Sequence, residues 1–371
     1  MKKIIQLLLF ITVSSAEAQN SFLLIGTYTG GKSEGIYVYN FNSQSGIAAY
    51  ASKIKASNPS YLEVSPNQEN VYAVFEEGRN GKGGSVAAYT FNKQTGALSF
   101  INQQLSGGDD PCYVAVHKTG NWITVGNYTG GSVAVLPVEE GGALGKMVTH
   151  IQHTGSSVNL ERQTSAHVHC TYFSKNNRFL FVPDLGLDKI MIYSFNKKNG
   201  QLIAAPQPFV KLPAGTGPRH IVFNSKNKYA YLMQELTGTV TAYKYHKGRL
   251  TEIQNISAAP ENFKGFMGSA DIHVSPDGRF LYCSNRGESN SITIFKINHA
   301  TGKLTVVGNQ SSLGLAPRNF NFDPSGNYLL VANQKSDNII IFRRDKNTGL
   351  LTDTGNKIEV GSPVCLKWIT K

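Results

Sequence analysis

A polar turn followed by a short apolar run recurs along the whole chain. The clearest copies are SPDGRFLYCSNR at 275–286 and DPSGNYLLVANQ at 323–334. In each copy, turn-forming residues precede an apolar run that ends in a polar residue, which predicts a β-turn leading into a strand. Weaker copies are NSKNKYAYLMQE (224–235), SKNNRFLFVPDL (174–185), HKTGNWITVGNY (117–128), NQENVYAVFEE (67–77) and, as the strand half alone, FLLIGTY (22–28).

A second repeat follows each copy of the first. Polar loops that end in glycine, such as FNKQTG at 91–96 and INHATG at 297–302, link two β-rich runs. Glycine supplies the positive φ that such a hairpin loop needs. The loop glycines are spaced 46 to 58 residues apart and are Gly46, Gly96, Gly142, Gly200, Gly248, Gly302 and Gly349. Seven copies of four short strands predict an all-β fold, a single seven-bladed β-propeller with four-stranded blades.

Both ends of the chain contribute to one blade in this prediction. The segment SPVCLKWI at 362–369 matches the first strand of a blade. FLLIGTY at 22–28 matches the second strand of that same blade. A blade built from both termini closes the ring and covers its edge strands. The first strands are predicted to begin near Pro59, Pro111, Val168, Pro218, Ser269, Pro317 and Pro363.

The propeller geometry predicts where a functional site can lie. First strands line the channel and second strands run antiparallel to them, so the start of one and the end of the other meet on one face. The first strands start with Ser60, Cys112, His169, Arg219, Ala270, Arg318 and Val364. The second strands end with Thr27, Glu76, Asn127, Asp184, Gln234, Asn285 and Asn333, followed by Tyr28, Glu77, Tyr128, Leu185, Glu235, Arg286 and Gln334. Polar residues that differ between equivalent positions indicate a site.

Several of these segments resemble one known family. SAHVHC (165–170), GPRHIVF (217–223), the QEL around Glu235 and NRGESNSITIF (285–295) are similar to the seven-bladed lactonase family. That family includes bacterial 6-phosphogluconolactonases of the propeller type and fungal 3-carboxymuconate lactonising enzymes. The resemblance implies a site without metal or cofactor, built from one histidine, two arginines and one glutamate. By position these are His169 (with His167 as the other candidate), Arg219, Glu235 and Arg286.

The chemistry of these residue types fits the opening of a sugar-type lactone, such as that of the 6-phosphogluconolactonases. The reaction needs a base that activates water and donors for the oxyanion. We expect His169 or Glu235 to be the base, Arg219 to hold the oxyanion or an anion, and Arg286 to bind a substrate anion. Further candidates for substrate binding are His167, Arg318, Asn285 and Asp184.

Other interpretations remain open at this stage. Arg219 and Glu235 could form a purely structural ion pair, and Asp184 could hold the turn before Gly186. The protein could also be a non-catalytic scaffold, because propellers host unrelated functions, or a lactonising enzyme of the cycloisomerase type. A metal-dependent lactonase is a further alternative, since Glu76, Asn127, Asp184 and Asn285 carry oxygen ligands that calcium favours.

The composition and charge of the chain limit the kinds of partner that the protein can bind. With Lys+Arg 36 against Asp+Glu 24, the 371-residue chain has a formal net charge of +12. Lysine and arginine are scattered through loops without forming a stripe, which argues against nucleic acid as a partner. The positive charge favours small anionic substrates, such as the anionic lactone that the resemblance implies, or acidic surfaces. Only 16% of the residues are charged and 10% are aromatic, which excludes a disordered chain. We expect a monomer.

The N-terminal residues have the pattern of a secretory signal peptide. Lys2 and Lys3 precede an apolar run from Ile4 to Val13, and Ala16-Glu17-Ala18 supplies small residues for cleavage after Ala18. Residues 1–18 are therefore predicted to be the signal and residues 19–371 the propeller domain, exported to the periplasm or outside the cell. No other apolar run approaches the length of a membrane anchor.

The four cysteines are predicted to be free, buried thiols. The propeller alignment puts Cys112 and Cys170 on neighbouring blades but out of register, and Cys283 and Cys365 on other blades. Disulfide geometry does not allow bridges between side chains that are so placed.

Overall fold

The computed structural model describes residues 20–78 and 83–371, which form seven four-stranded antiparallel sheets in a ring around a channel. The predicted seven-bladed β-propeller is confirmed. The predicted signal peptide lies outside the described residues. Within these residues, no helix has the length and apolarity needed to cross a membrane.

The blades are numbered here in chain order, and their strands are given from the channel outward. Blade 1 contains β28 (Pro363–Thr370), β1 (Asn20–Thr27), β2 (Gly35–Asn42) and β3 (Ile47–Lys55). Blade 2 contains β4 (Tyr61–Val64), β5 (Asn70–Phe75), β6 (Ser85–Phe91) and β7 (Leu98–Leu105). Blade 3 contains β8 (Pro111–Val116), β9 (Trp122–Asn127), β10 (Ser132–Pro137) and β11 (Thr149–Gln152). Blade 4 contains β12 (Tyr172–Phe173), β13 (Phe179–Asp184), β14 (Lys189–Asn196) and β15 (Gln201–Lys211).

The remaining three blades repeat this order without interruption. Blade 5 contains β16 (Pro218–Phe223), β17 (Tyr229–Gln234), β18 (Thr239–His246) and β19 (Arg249–Ser257). Blade 6 contains β20 (Ser269–Val274), β21 (Phe280–Asn285), β22 (Ser291–Ile297) and β23 (Leu304–Ser311). Blade 7 contains β24 (Pro317–Phe322), β25 (Tyr328–Asn333), β26 (Asn338–Arg344) and β27 (Leu351–Glu359). Two single-turn 3₁₀ helices lie at Glu140–Gly142 and Leu185–Leu187.

Both termini build blade 1, as the sequence predicts. β28 pairs with β1 in antiparallel register, with Phe22 opposite Ile369 and Leu24 opposite Lys367. Two inner strands begin later than predicted. The inner strand of blade 2 begins at Tyr61 instead of Pro59, and the inner strand of blade 4 begins at Tyr172 instead of Val168. Val168 itself forms only an isolated β-bridge with Asp184.

The second strand of each blade forms the core between neighbouring blades. All six residues of β5, β17, β21 and β25 are buried, because adjacent blades cover both faces of the strand. Outer strands such as β7, by contrast, consist mostly of exposed and partly exposed residues. Burial of both faces explains why the second strands contain near-continuous apolar runs.

The hairpin glycines also join the blades. Gly302 has a φ of 76°, and a Cβ there would lie 2.3 Å from a ring carbon of Tyr229 on the preceding blade. A Cβ on each of the other hairpin glycines would lie 2.1 to 2.7 Å from a side chain of the preceding blade, in the pairs Gly46–Tyr328, Gly96–Phe22, Gly142–Asn70, Gly200–Trp122, Gly248–Phe179 and Gly349–Phe280. These glycines therefore both turn the hairpin and allow close packing.

The inner strands have an irregularity at their start that positions the site. The register shifts between Pro218 and His220 in β16, and between Pro317 and Asn319 in β24. Such a bulge turns two consecutive side chains toward the same side. As a result, Arg219 and His220 both line the channel, although strict alternation would separate them.

All four cysteines are free and buried, as predicted. Burial raises the pKa of the Cys170 and Cys365 thiols to about 12. Both groups therefore stay protonated and unreactive at neutral pH.

Candidate active site

A buried glutamate holds three arginines together at one mouth of the channel. Glu235 follows the last residue of β17 and is 3% exposed. Its Oε2 lies 2.9 Å from Nε of Arg219 and 3.0 Å from Nη2 of Arg286, and its Oε1 accepts a hydrogen bond from Nη2 of Arg162 at 2.7 Å. The Arg219 contact is a charge contact, because its N–H is not directed at the oxygen. The predicted meeting of strand starts and strand ends thus brings Arg219, Glu235 and Arg286 together.

The arginines determine the protonation of this carboxylate. Burial alone would raise the pKa of Glu235, but Arg286, Arg219 and Arg162 outweigh it and bring the pKa to about 2. Burial lowers the pKa of Arg286 to about 10, partly offset by Glu235. At neutral pH the cluster therefore contains one carboxylate and three guanidinium groups.

His169 lies beside this cluster. It precedes β12, and its Nε2 is 3.9 Å from Oε2 of Glu235, while its Nδ1 is 3.6 Å from Sγ of Cys112. Burial, followed by the positive charge of Arg219, holds the pKa of His169 well below 6.5. The imidazole is consequently neutral at neutral pH and can accept a proton.

Arg318 supplies a fourth cation at the channel. Its guanidinium carbon is 5.4 Å from the ring centre of Tyr28, whose hydroxyl donates to both carboxylate oxygens of Glu76 at 2.8 Å. Arg318 lines a narrow chamber together with His169 and Arg219. Its guanidinium makes no hydrogen bond to any described residue, so its donors are free for a ligand.

His167, the alternative histidine, is held away from Glu235. Its ring stacks on Tyr128 with 4.5 Å between ring centres, and its Nδ1 lies 3.0 Å from the carbonyl oxygen of Tyr128. The structure therefore favours His169 over His167 as the histidine next to the charge cluster.

Asp184 and Asn285 do not reach the pocket. The Asp184 carboxylate accepts from Nδ1 of His153 at 2.7 Å and from the backbone N–H groups of His167 and Leu187. Nδ2 of Asn285 donates to the carbonyl of Ala258 on the preceding blade. Asn127 and Asn333 make the same kind of bond, to Ser106 and Ser312. Both side chains therefore bind protein groups, as buried polar side chains generally do, and their role in substrate binding stays a prediction.

The four oxygen ligands considered for calcium lie on four different blades. Glu76 is on blade 2, Asn127 on blade 3, Asp184 on blade 4 and Asn285 on blade 6, each with the protein partners described above. Among residues 20–78 and 83–371, no group of three or more His, Cys, Asp or Glu side chains is arranged to hold a metal ion.

Arg162 was not predicted from the sequence. It lies in the long segment between β11 and β12, which has no counterpart in the other blades, and it contacts both Glu235 and the hydroxyl of Tyr128. The only sequence signal for it is the unusual length of this segment.

A pocket of about 570 Å³ opens above the charge cluster. Arg162, Glu235 and Arg286 line its charged part, and Phe266 and Leu315 line its apolar part. Its volume lies within the range of small-molecule sites. A larger cavity of about 780 Å³ on the opposite face contains Lys118, Arg178 and Lys197 at its surface. We assign the site to the smaller pocket, because Glu235 and Arg286, whose pKa values are shifted, line it and His169 lies 3.9 Å from the Glu235 carboxylate.

Comparisons with known proteins agree with this architecture. The profile of a family described as "Lactonase, 7-bladed beta-propeller" matches residues 22–368. The chain is 38% identical to the 6-phosphogluconolactonase of Bacillus subtilis, over 93% of this chain and 97% of that one. It is 39% identical to the 6-phosphogluconolactonase of Formosa agariphila, over 94% and 99%. The solved structure of a periplasmic gluconolactonase from Pseudomonas aeruginosa is 39% identical and superimposes with a TM-score of 0.89, over 94% and 99%.

Replacing Glu235 by glutamine should destabilise the protein by about 3–5 kcal/mol, because the buried Arg219 and the largely buried Arg286 lose their counter-charge, with a smaller contribution from the partly exposed Arg162. Thermal and denaturant unfolding measure this loss. Added phosphate should raise the melting temperature of Glu235→Gln more than that of the unaltered protein, since the anion can replace the carboxylate.

The exposed pair of Lys53 and Glu34 provides a control. Glu34→Gln should melt like the unaltered protein, with or without phosphate. A Glu235→Gln variant that also melts unchanged, with no response to phosphate, would show that the arginines do not depend on this carboxylate.

Proposed function

The chain belongs to the lactonase family of seven-bladed β-propellers, and from this premise we propose that it hydrolyses a sugar lactone at the pocket above Glu235. The observation that carries the proposal is the placement of a neutral histidine, His169, 3.9 Å from a carboxylate that three arginines surround. This arrangement combines a base with preorganised positive charge, the two requirements of ester hydrolysis.

His169 acts as the general base. Its imidazole takes a proton from water as the water oxygen bonds to the lactone carbonyl carbon. The carbonyl oxygen becomes an oxyanion. The ring C–O bond then breaks, and the imidazolium returns the proton to the departing ring oxygen, which becomes a hydroxyl. The product is an open-chain hydroxy acid.

Glu235 has a supporting role in this scheme. With a pKa of about 2 it is a weak base, and its negative charge stabilises the imidazolium that forms on His169. Arg219 supplies donors to the oxyanion, because its Nη2 makes no hydrogen bond to any described residue and the residue lines the chamber next to His169. Arg162 and Arg286 hold the carboxylate and line the substrate pocket.

The charges at this mouth favour an anionic lactone. Five positive charges lie here, on Arg162, Arg219, Arg286, Arg318 and Lys335, against the three carboxylates of Glu76, Glu235 and the nearby Asp271. The excess of two positive charges, with free donors on Arg318, suits a phosphate or carboxylate group on the substrate. Neither a non-catalytic scaffold nor a lactonising enzyme is favoured, because the curated relatives described above are hydrolases by name.

Replacing His169 by alanine should lower kcat for lactone hydrolysis by about 10²- to 10⁴-fold. A pH-stat assay against an uncharged sugar lactone and its phosphorylated form measures this effect. If instead His167→Ala gives the large loss and His169→Ala does not, His167 is the base. Absence of hydrolysis of every sugar lactone by the unaltered protein would contradict the function itself.

The pH profile of the same assay tests the protonation state of His169. Its pKa lies below 6.5, so the base stays unprotonated as the pH falls through 6.5. We therefore expect kcat/KM to remain on its plateau through pH 6.5 and to decline only at lower pH. A decline centred above 6.5 would contradict this assignment.

Replacing Arg318 by glutamine should raise KM for the phosphorylated lactone and leave the uncharged lactone nearly unaffected. No carboxylate of a described residue is hydrogen-bonded to Arg318, so its guanidinium is free for the substrate anion. Arg286→Gln is the comparison. It should impair both lactones, because Arg286 contacts Glu235 and the carbonyl of Gly268. Equal losses on both lactones for Arg318→Gln would exclude it as the anion-binding residue.

We also propose that the protein is exported and that the mature chain, 19–371, is one propeller domain. The charged and apolar pattern of residues 2–18 supports export, and the Pseudomonas aeruginosa neighbour is described as periplasmic. N-terminal sequencing of protein recovered from outside the cytoplasm should therefore begin at Gln19. Recovery of the chain from the cytoplasm with Met1 in place would contradict export.

A further inference from the structure

A second buried carboxylate lies in the channel close to Arg219. Asp271 is the third residue of β20, where the register shifts between Ser269 and Ile272, and it is 2% exposed. Its carboxylate is 2.9 Å from Nδ1 of His220 and 2.9 Å from Nε2 of His273, and it also accepts from Nδ2 of Asn319. Neither Asp271 nor His220 was singled out from the sequence.

The protonation of these groups follows from their contacts. Burial would raise the pKa of Asp271, but His273 and His220 outweigh it and hold the pKa well below its usual value. An ionised carboxylate only accepts hydrogen bonds, so Nδ1 of His220 must carry a hydrogen. Burial and Arg219 lower the pKa of His220 to about 4, so its imidazole is neutral and Nε2 has a free lone pair.

That lone pair faces Arg219. Nη1 of Arg219 is 3.3 Å from Nε2 of His220 and donates to the carbonyl of Ala270 at 2.6 Å. Because a guanidinium only donates, Nε2 must be the acceptor. A continuous series of contacts thus runs from Asp271 through His220 to Arg219, whose Nε lies 2.9 Å from Glu235.

We propose that Asp271 and His220 are positioning residues, which fix one imidazole tautomer so that Nε2 holds Arg219 in the orientation that serves the oxyanion. The proposal rests on the lactonase function described above. In the other tautomer, an N–H of His220 would face an N–H of Arg219, and the arginine would have to turn away. The Ala270 carbonyl and the Glu235 carboxylate would then have to hold the guanidinium without the contact to His220.

The chain contains a natural control for this arrangement. His153 and Asp184 form another buried pair, 2.7 Å apart, whose histidine contacts the Tyr193 hydroxyl at 2.8 Å instead of an arginine. Loss of this pair should affect stability alone. It therefore separates the cost of breaking a buried histidine–aspartate pair from any effect on Arg219.

The test compares His220→Leu, His220→Gln and Asp271→Asn with His153→Leu in lactone hydrolysis and in thermal unfolding. His220→Leu and Asp271→Asn should lower kcat by roughly 10- to 100-fold, as expected when a catalytic group is misplaced. His220→Gln should retain most of the activity, because its amide oxygen can take the place of Nε2. His153→Leu should lower the melting temperature and leave kcat unchanged.

A double-mutant cycle then tests whether His220→Leu lowers kcat by changing the position of Arg219. In an Arg219→Ala background, His220→Leu should cause no further loss of kcat, since the residue to be positioned is gone. Additive losses would overturn the proposal. So would a His220→Leu variant that, like His153→Leu, loses only stability. If His220→Leu does not fold, Asp271→Asn, which preserves the side-chain shape, carries the same cycle.

Nitrogen NMR of the histidine rings separates failure of this proposal from failure of the lactonase function. His220 should show a neutral ring protonated at Nδ1 in the unaltered protein at neutral pH, whatever the substrate. A ring protonated at Nε2 would overturn the positioning role and leave the lactonase proposal intact. A protein with the expected tautomer that hydrolyses no sugar lactone would instead overturn the function, and with it the role proposed for Arg219.

Discussion

The pairing of β28 with β1 is the interaction on which the rest of the molecule depends. A second strand such as β17 is buried along its whole length only because blades cover both of its faces, and every blade has two neighbours only in a closed ring. Closure also holds the inner strands in a circle with their starts at one mouth. Arg162, Glu235 and Arg318 are far apart in sequence and lie at one channel for this reason alone.

Two buried carboxylates organise the charges inside that channel, and they do so differently. Glu235 is paired with arginines, which remain charged at all relevant pH values, so its surroundings keep an excess of positive charge. Asp271 is surrounded by imidazoles and an amide, and its close partner His220 remains neutral. The first cluster can therefore attract an anion, whereas the second fixes the positions of hydrogens.

The sequence predicts the architecture well. Every blade packs in the same way, and this common packing produces a recognisable repeat of turn, strand and hairpin glycine. The sequence also brings Arg219, Glu235 and Arg286 to one mouth, since they occupy equivalent ends of paired strands. Arg162 could not be found in this way, because its segment has no counterpart in other blades. His220 and Asp271 were not predicted from the sequence. Strict alternation of side chains would place them on the other side of β16 and β20, but both strands bulge at their start. For Asn285 the structure offers a different explanation from the sequence, because asparagine recurs at its position and binds a carbonyl of the preceding blade each time.

The contact between each hairpin glycine and a side chain on the preceding blade has a directional consequence. Every blade presents a glycine on one side and, in six of the seven pairs, an aromatic ring on the other, as Gly302 and Tyr229 do. The contacts between blades therefore run head to tail around the ring. The same arrangement occurs in cyclic oligomers, but here the repeating units are blades of one chain. A duplicated blade would carry both halves of its own interface. Recognition between neighbouring blades consequently sets no upper bound on the number of blades.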